Sequence, residues 1–405
     1  MQNSFDATTK INGPYNVVRM EGSIDGKKKI MYSFFDMHVY HSHCPDDYSL
    51  DIDKFLIREY DKAAIKDPKT KYDLYIEFPL RMEYNHVEKE SDNYLEQMAR
   101  TFFSKIDLQE GNDIMKIKRG NDNLRLHLVD MRQAFLGENI IDGFDMIRFA
   151  SNHDYQRALY QAELFLDNTK TLMRMMQHSK KEDSEIVNVN FLNYLVKISN
   201  RDTGVSQKLQ IDFVIKMLWK LYHMYNHDDV KKIIVKLMDE VYDKLNTCVK
   251  LTKRIINKLN KAINIFDETI DKKICYGNVC NYSRDIVDRV NYTNSIIKLV
   301  SHAANEYADA SCVIMDLYFA RRFLDKDYTT YGVFYGGGYH SADIIHILVK
   351  YFNFKVTNFS FSENENLNEV NQLIKDSPYI VTADMFTPPT FSQCSDSKGF
   401  PEYLK

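Results

Sequence analysis

Thr329 to Val349 reads TTYGVFYGGGYHSADIIHILV, and this stretch decides the fold. Thr330, Tyr331, Val333, Phe334 and Tyr335 are β-branched or aromatic, as a buried strand favours. Gly336, Gly337 and Gly338 follow, three of only 14 glycines in 405 residues. His340, Ser341, Ala342 and Asp343 then open an apolar run with helical spacing. The predicted unit is strand, glycine turn, helix. Glycines in such a turn permit φ > 0 and close backbone approach. His340 falls at the helix start, where the dipole disfavours imidazolium and leaves the neutral ring that binds a metal or accepts a proton. A capped βα turn explains GGGYH equally well on its own, so chemistry requires a second half-site.

Moving upstream, Tyr15–Glu21 and Lys28–Met37 read as two strands joined through Asp25-Gly26, a hairpin signal. The second strand breaks into VYHSHCPDD, which places His38, His41 and His43 close together. Residues 51–65 have helical spacing and stop at Asp67-Pro68. Tyr72–Phe78, YDLYIEF, reads as a buried parallel strand ending in Glu77, with Pro79 just beyond. A helix is predicted over 91–105, and a strand over Leu124–Val129 that runs into Asp130-Met131-Arg132. After the hairpin the order is βαβαβ, the pattern of a parallel sheet with covering helices.

From about 144 to 324 no strand is predicted. Ile233, Leu237, Val241 and Leu245 recur every fourth residue, and Ile286, Val290, Ile297 and Val300 mark another long helix. The expected fold is α/β, a mainly parallel sheet with flanking helices and a large all-α insertion forming a long helical arm. The expected division is a flexible arm at 1–14, the first α/β half at 15–143, the insertion at 144–311, the second α/β half at 312–375 and a tail at 376–405. Phe354–Phe361 is the last predicted strand, and the Pro-, Ser- and Gly-containing tail is expected to wrap the surface or bind a partner.

Composition narrows the function classes. Hydrophobic residues make up 44% and charged residues 27%, which fits a soluble globular chain with a large core. A formal net charge of −4 argues against a general nucleic-acid or anionic-membrane binder. Residues 1–14 are mostly polar, and no apolar run approaches the ~18 residues that span a bilayer. The six cysteines are scattered, which suggests a reduced, cytoplasmic protein, and Cys275 and Cys280 bracket a predicted loop.

In a parallel sheet, functional residues gather beyond the carboxyl ends of the strands. Four strand ends here carry ionisable groups: FDMH (35–38), EFP (77–79), DMR (130–132) and GGGYH (336–340). In order and strand context these motifs resemble the erythromycin-esterase-like and TraB/Tiki-type hydrolase superfamily. The resemblance rests on Phe35-Asp36-Met37-His38, Glu77, Asp130-Met131-Arg132 and Gly337-Gly338-Tyr339-His340, with Asp316-Leu317-Tyr318-Phe319-Ala320 as the helix before the last motif. It covers about residues 28–132 and 312–360. Phe35 departs from the glycine usual in the first motif, and Met315 from the arginine often found before the aspartate.

The resemblance implies an esterase- or peptidase-type hydrolase. His38 or His340, as a neutral base, would activate water within ~3 Å. Alternatively His38, Glu77 and His340 would hold a divalent Mn, Co or Zn ion that acidifies its water. Asp36 would belong to the same catalytic group, and Arg132 would bind a carboxylate or stabilise an oxyanion. Asp130, Gly337, Gly338 and Tyr339 would face the small-molecule or peptide substrate. Two rival readings stand beside this one. Asp36-x-His38 followed by His41-x-His43 is similar to the entry strand of histidinol-phosphatase-type phosphoesterases and amidohydrolases, which are barrels. The other rival is an inactive scaffold or virion-associated component of a large DNA virus, meeting a protein partner through its helical arm or its tail.

Overall fold

The computed structural model describes residues 10–39, 42–45, 49–79, 93–103, 106–107, 115–117, 124–130, 132, 152–182, 189–198, 205–265, 274–276, 279–281, 284–390 and 392–400. Strand β1 (Lys10–Asn12) precedes the hairpin of β2 (Asn16–Ile24) and β3 (Lys27–Asp36). The hairpin turn holds Asp25 and Gly26 at φ 48° and 74°, as the Asp-Gly pair predicts. Next come β4 (Leu50–Asp51), α1 (Ile52–Lys66), β5 (Lys71–Pro79), α2 (Tyr94–Phe103), β6 (Ile106–Asp107), β7 (Met115–Ile117) and β8 (Leu124–Asp130). Helices α3 (Asn152–Lys181), α4 (Val189–Ile198), α5 (Val205–His223) and α6 (Asp228–Ile265) follow. A hairpin of β9 (Ile274–Tyr276) and β10 (Val279–Asn281) then leads to α7 (Arg284–Leu324). The remaining elements are β11 (Thr329–Gly337), α8 (Gly338–Phe352), β12 (Lys355–Phe359), α9 (Leu367–Asp376), α10 (Tyr379–Met385) and β13 (Cys394–Asp396).

The main sheet has the order β12-β2-β3-β11-β5-β8-β7-β6. Strands β3, β11, β5 and β8 run parallel, and antiparallel strands flank them on both sides. The fold is therefore mixed α/β with a largely parallel sheet. Among the described residues that sheet is open, with β12 and β6 at its edges, where the phosphoesterase-type reading implies a closed barrel. Alternation along β5 assigns the faces. Tyr72, Leu74, Ile76 and Phe78 join a core with Phe55, Leu56 and Tyr60 of α1 and Met98 and Phe102 of α2. Asp73, Tyr75 and Glu77 point the other way, where Phe319 of α7 meets Tyr75 edge-on at 4.7 Å.

Short elements correct several expectations. The region read as strand-free contains the β9–β10 hairpin, which pairs Cys275 with Cys280 in register where a loop was expected. Three-residue strands are too brief to show a period of two. The N-terminal arm is structured from Lys10: β1 pairs with β13 and β4, and Ile11 is fully buried. The C-terminal tail carries α10 and β13. Cys44 and Cys394 form a disulfide across a separation of 350 residues, against the reading of six reduced cysteines. No spacing rule pairs cysteines so far apart in sequence.

Clustering of contacts divides the chain into two units, residues 1–130, 225–233 and 315–405, and residues 131–224 and 234–314. In the second, α3, α6 and α7 share a core of Tyr155, Phe165, Leu251, Leu259, Ile296 and Val300. The last residues of α7, from Met315, belong to the first unit. Among the described residues no helix is long and apolar enough to cross a membrane.

The first unit also buries a polar network near the start of β5. Arg125 donates two hydrogen bonds to Asp73 at 2.6 and 2.7 Å, the Thr329 hydroxyl donates at 2.8 Å, and His127 Nε2 lies 3.0 Å away. Burial opposes the charged form of Asp73, but His127 and Arg125 prevail and hold it at about 2. Burial, with Arg322 nearby, pushes His127 down to about 4.

Candidate active site

Register builds the site. Cα partners Asp36–Gly337 and Phe35–Gly336 bring the ends of β3 and β11 level, and Ile76 pairs with Tyr335. His38 therefore lies two residues past one strand end, Glu77 near the next, and His340 in the first turn of α8. The sheet brings these three together.

Glu77 is buried, 3% exposed, although nothing in YDLYIEF marks it as inward-facing. Its Oε2 lies 3.6 Å from His38 Nε2 and its Oε1 3.4 Å from His340 Nε2. The Gly337 N–H donates to Oε2 at 2.5 Å, using a backbone donor that a helix start leaves without an intrahelical partner. Each imidazole is held from behind by a second carboxylate. His38 Nδ1 lies 2.5 Å from Asp36 Oδ2, and His340 Nδ1 lies 2.9 Å from Asp316 Oδ1. Each carboxylate accepts a hydrogen bond from an Nδ1–H and so turns Nε2 towards Glu77.

The glycines supply space. None of Gly336, Gly337 and Gly338 has a positive φ, so the conformational freedom expected of them goes unused. A Cβ on Gly336 would lie 2.8 Å from Glu77 Oε2. One on Gly337 would lie 3.2 Å from both Glu77 Oε2 and His38 Nε2, and one on Gly338 would collide with the Tyr15 hydroxyl. Burial raises the Tyr15 phenol to about 12, so it stays neutral. Phe35 is fully buried, its ring packed on Tyr15 at 5.6 Å and Phe386 at 6.3 Å.

Strain and charge concentrate at His38. Its φ is +53°, a left-handed conformation that costs a side-chain-bearing residue of order 1 kcal/mol or more. Asp36 Oδ2 offsets this by accepting the His38 backbone N–H at 2.9 Å as well as the ring, while Asp36 Oδ1 accepts the Tyr335 hydroxyl at 2.7 Å. Burial opposes a charged His38, but the Asp36 hydrogen bond and the charges of Asp36 and Glu77 outweigh it and raise the ring to about 10. The two carboxylates thus favour the charged ring at His38, where a neutral base was expected. The strand ends supplied the histidine and both carboxylates, Asp36 and Glu77, but not the charge that they induce on the ring.

The other expected residues are placed as follows. Tyr339 is 46% exposed, with its ring 6.5 Å from His340 and 4.9 Å from Tyr379. Asp130 is buried at the end of β8, with its Cα opposite Pro79. Arg132 is half-buried and falls in the second unit. His43 sits with the Tyr94 hydroxyl at 2.9 Å, and His41 lies outside the described residues. Asp316, Tyr335 and Tyr15 were not singled out as site residues by the sequence. The available signal for Asp316 was an acid inside the apolar run VIMDLYFA, where burial demands a partner.

For a divalent ion the donor chemistry fits, two imidazole Nε2 atoms and one carboxylate, each imidazole oriented by a second carboxylate. Separations of 3.4 and 3.6 Å are long for hydrogen bonds and close to the roughly 3.4 Å between tetrahedral ligands on one ion. Among the described residues no group of three or more His, Cys, Asp or Glu meets metal-ligand geometry. The three are a donor set and not a closed centre.

The model of a family of unknown function, DUF5847, matches residues 9–405. Among curated proteins, the chain is 28% identical to "Uncharacterized protein R706" of Acanthamoeba polyphaga mimivirus over 97% of this chain and 96% of that one. Proteins R161 and R160 of the same virus are 26% and 25% identical, each over 97% of this chain and 97% and 96% of their own length. No solved structure matches.

Proposed function

This chain belongs to the DUF5847 family of unknown function, and we propose that it is a water-activating hydrolase of the esterase or peptidase type. The observation that carries the reading is one buried carboxylate, Glu77, with an imidazole Nε2 against each oxygen and a further carboxylate behind each imidazole. An Nε2 lone pair facing a carboxylate oxygen at 3.4 Å is a pair of acceptors that wants a proton or a cation between them. Glu77 and His340 therefore take the proton of an incoming water. His38, already charged, stabilises the developing oxyanion and returns a proton to the leaving group. Asp36 and Asp316 keep the rings in line, and the glycines let Glu77, His38 and Tyr15 approach the backbone closely.

His38, Glu77 and His340 are also the residues that would hold a divalent Mn, Co or Zn ion, which when bound supplies an acidified water. Tyr339, half-exposed beside His340, borders the substrate. The long helices α6 and α7 and the C-terminal residues are the segments proposed to meet a protein partner, and the cytoplasm or a virion is the proposed location.

The test is a panel of esters and peptides, assayed with wild type, Glu77→Gln, His38→Ala and His340→Ala. Wild-type turnover abolished in each variant, with folding retained, supports the proposal. The second reading, an inactive hydrolase-like scaffold, draws on the viral source of the relatives. It is favoured if wild type is inert across the panel and removal of either histidine destabilises the protein by several kcal/mol, as loss of a satisfied core residue does.

A further inference from the structure

We propose that Gln393 is a positioning residue for His38, and that the Cys44–Cys394 bridge locks it in place, so that reduction of the bridge releases the His38 loop. The inference rests on the reading of His38 as a working imidazole of the site. Nothing in the family match or the relatives' names assigns a role to the C-terminal residues.

His38 opens the loop between β3 and β4, in a backbone conformation that does not hold itself. Gln393, from the segment the sequence presents as a tail, is 1% exposed. Its amide serves this one loop. Oε1 accepts the Ser42 backbone N–H at 2.8 Å and the Ser42 hydroxyl at 3.1 Å, and Nε2 donates to the carbonyl of Val39, the residue after His38, at 3.3 Å. The backbone carbonyl of Gln393 accepts the Gly13 N–H at 3.0 Å, which ties the same residue to the turn before β2. A buried amide is costly unless its polar atoms are bonded, so Gln393 and the loop must order together.

The neighbouring residue closes the arrangement. Cys394 is bonded to Cys44, two residues beyond Ser42 in the loop, and the Cys44 N–H donates to Asn12 Oδ1 at 2.8 Å. The strand β13 that begins with Cys394 pairs with β1, and β1 pairs with β4, where the loop ends. Val39, Ser42 and Cys44 are therefore held by Gln393 and Cys394, while the Tyr94 hydroxyl donates to the Ser42 carbonyl at 3.1 Å and lies 2.9 Å from His43 Nδ1. The covalent bond keeps that strap from leaving, and its loss lets Gln393 and the loop part. A dithiol opens the bridge by thiolate attack on one sulfur, giving a mixed disulfide that its second thiolate resolves. Cys44 and Cys394 each end as thiols, with two electrons and two protons supplied, and the dithiol becomes a cyclic disulfide. In a reducing compartment the loop would be loose, and in an oxidising one it would be set.

The experiment reads His38 position directly and needs no turnover. A Cβ built on Gly337 would lie 3.2 Å from His38 Nε2 and 3.8 Å from its Cδ2, and the Gly337 Cα proton that takes that direction is near enough for a nuclear Overhauser contact with the His38 ring to report the set loop. The contact is expected in oxidised wild type. It should vanish in Gln393→Ala and in wild type treated with a dithiol, with exchange of the Ser42 amide rising by about tenfold or more. In Cys44→Ser/Cys394→Ser the dithiol should change nothing further. Retention of the contact in both reduced wild type and Gln393→Ala overturns the proposal. If Gln393→Ala does not fold, reduced wild type decides alone, because it carries no substitution. A protein without hydrolytic activity that still loses the contact sinks the hydrolase reading and leaves this one standing. Turnover that is indifferent to reduction, with the contact intact, does the reverse.

Discussion

His340 Nδ1 lies 2.9 Å from Asp316 Oδ1, and both side chains are buried, the one in the first turn of α8 and the other in α7. The hydrogen bond fixes which nitrogen of His340 faces Glu77. Asp316→Asn preserves the shape and removes the charge. Turnover, or the affinity for a bound divalent ion, should fall by roughly 10–100-fold, the usual effect of losing a carboxylate behind a working histidine. Far-UV circular dichroism should stay as in wild type. An Asp316→Asn protein with full activity would show that the pair is packing only.

Steric room makes a separate prediction. Gly336→Ala would place a methyl 2.8 Å from Glu77 Oε2 and 2.7 Å from the Phe334 ring, both buried and neither free to move far. The variant should lose about 1–3 kcal/mol of stability, as overpacked cores do, and should lose turnover as the Glu77 carboxylate is displaced. Denaturant titration together with the ester and peptide panel checks both. An Ala variant as stable and active as wild type would mean that Glu77 leans elsewhere in solution.

The main sheet was readable because its strands are long and its hairpin turn is specific. Asp25-Gly26 set the β2–β3 register, and the βαβαβ order predicted the parallel centre. The strand ends supplied His38, Glu77 and His340, since a parallel sheet brings its carboxyl ends together. What lay hidden depends on contacts far apart in sequence. Asp316 precedes His340 by 24 residues, and its stretch was noted only as the helix before the last motif, with no role for the acid itself. Gln393 and Cys394 look like solvated tail in SQCSDS, because β13 is three residues long and its partner strand is at the other end of the chain. The charge of His38 is equally unreadable from FDMH, since Glu77 on another strand adds to the effect of Asp36.

That charge has a pH signature. The folded His38 is raised to about 10 from an unfolded value near 6.5. Its contribution to stability is fully present below about pH 6.5 and is lost as pH rises through about 10. Melting temperature should therefore decline across that window more steeply in wild type than in His38→Gln. A parallel decline in both would mean the ring is not charged by Asp36 and Glu77.

Acid should act through the other buried network. His127, pushed down to about 4, favours the folded state above about pH 6.5, and that advantage erodes as pH falls towards 4. Asp73, held at about 2, adds stability that is present above its unfolded value and lost as pH falls through about 2. Asp73→Asn leaves the half-buried Arg125 against an uncharged partner and should cost roughly 1.5–3 kcal/mol. It lies four residues before Glu77 on the same strand face, so any surviving folded protein should keep its site chemistry. A stable but inactive Asp73→Asn would tie the two networks together.

Metal binding gives the last prediction, because His38 must lose its extra proton before it can serve as a ligand. Mn²⁺, Co²⁺ or Zn²⁺ added to metal-stripped protein should raise the melting temperature, by about 2.7 kcal/mol of stabilisation at a hundredfold excess over Kd. Apparent affinity should climb about tenfold for each pH unit between 6 and 9, since below a folded value of about 10 one proton is released per ion bound. His340→Ala should abolish the response, and Asp36→Asn should flatten its pH dependence by lowering the His38 value. An effect of metal that is independent of pH would place the ion elsewhere. No effect at any pH, with turnover that still depends on His340, would leave Glu77 and His340 as a base that works on water unaided.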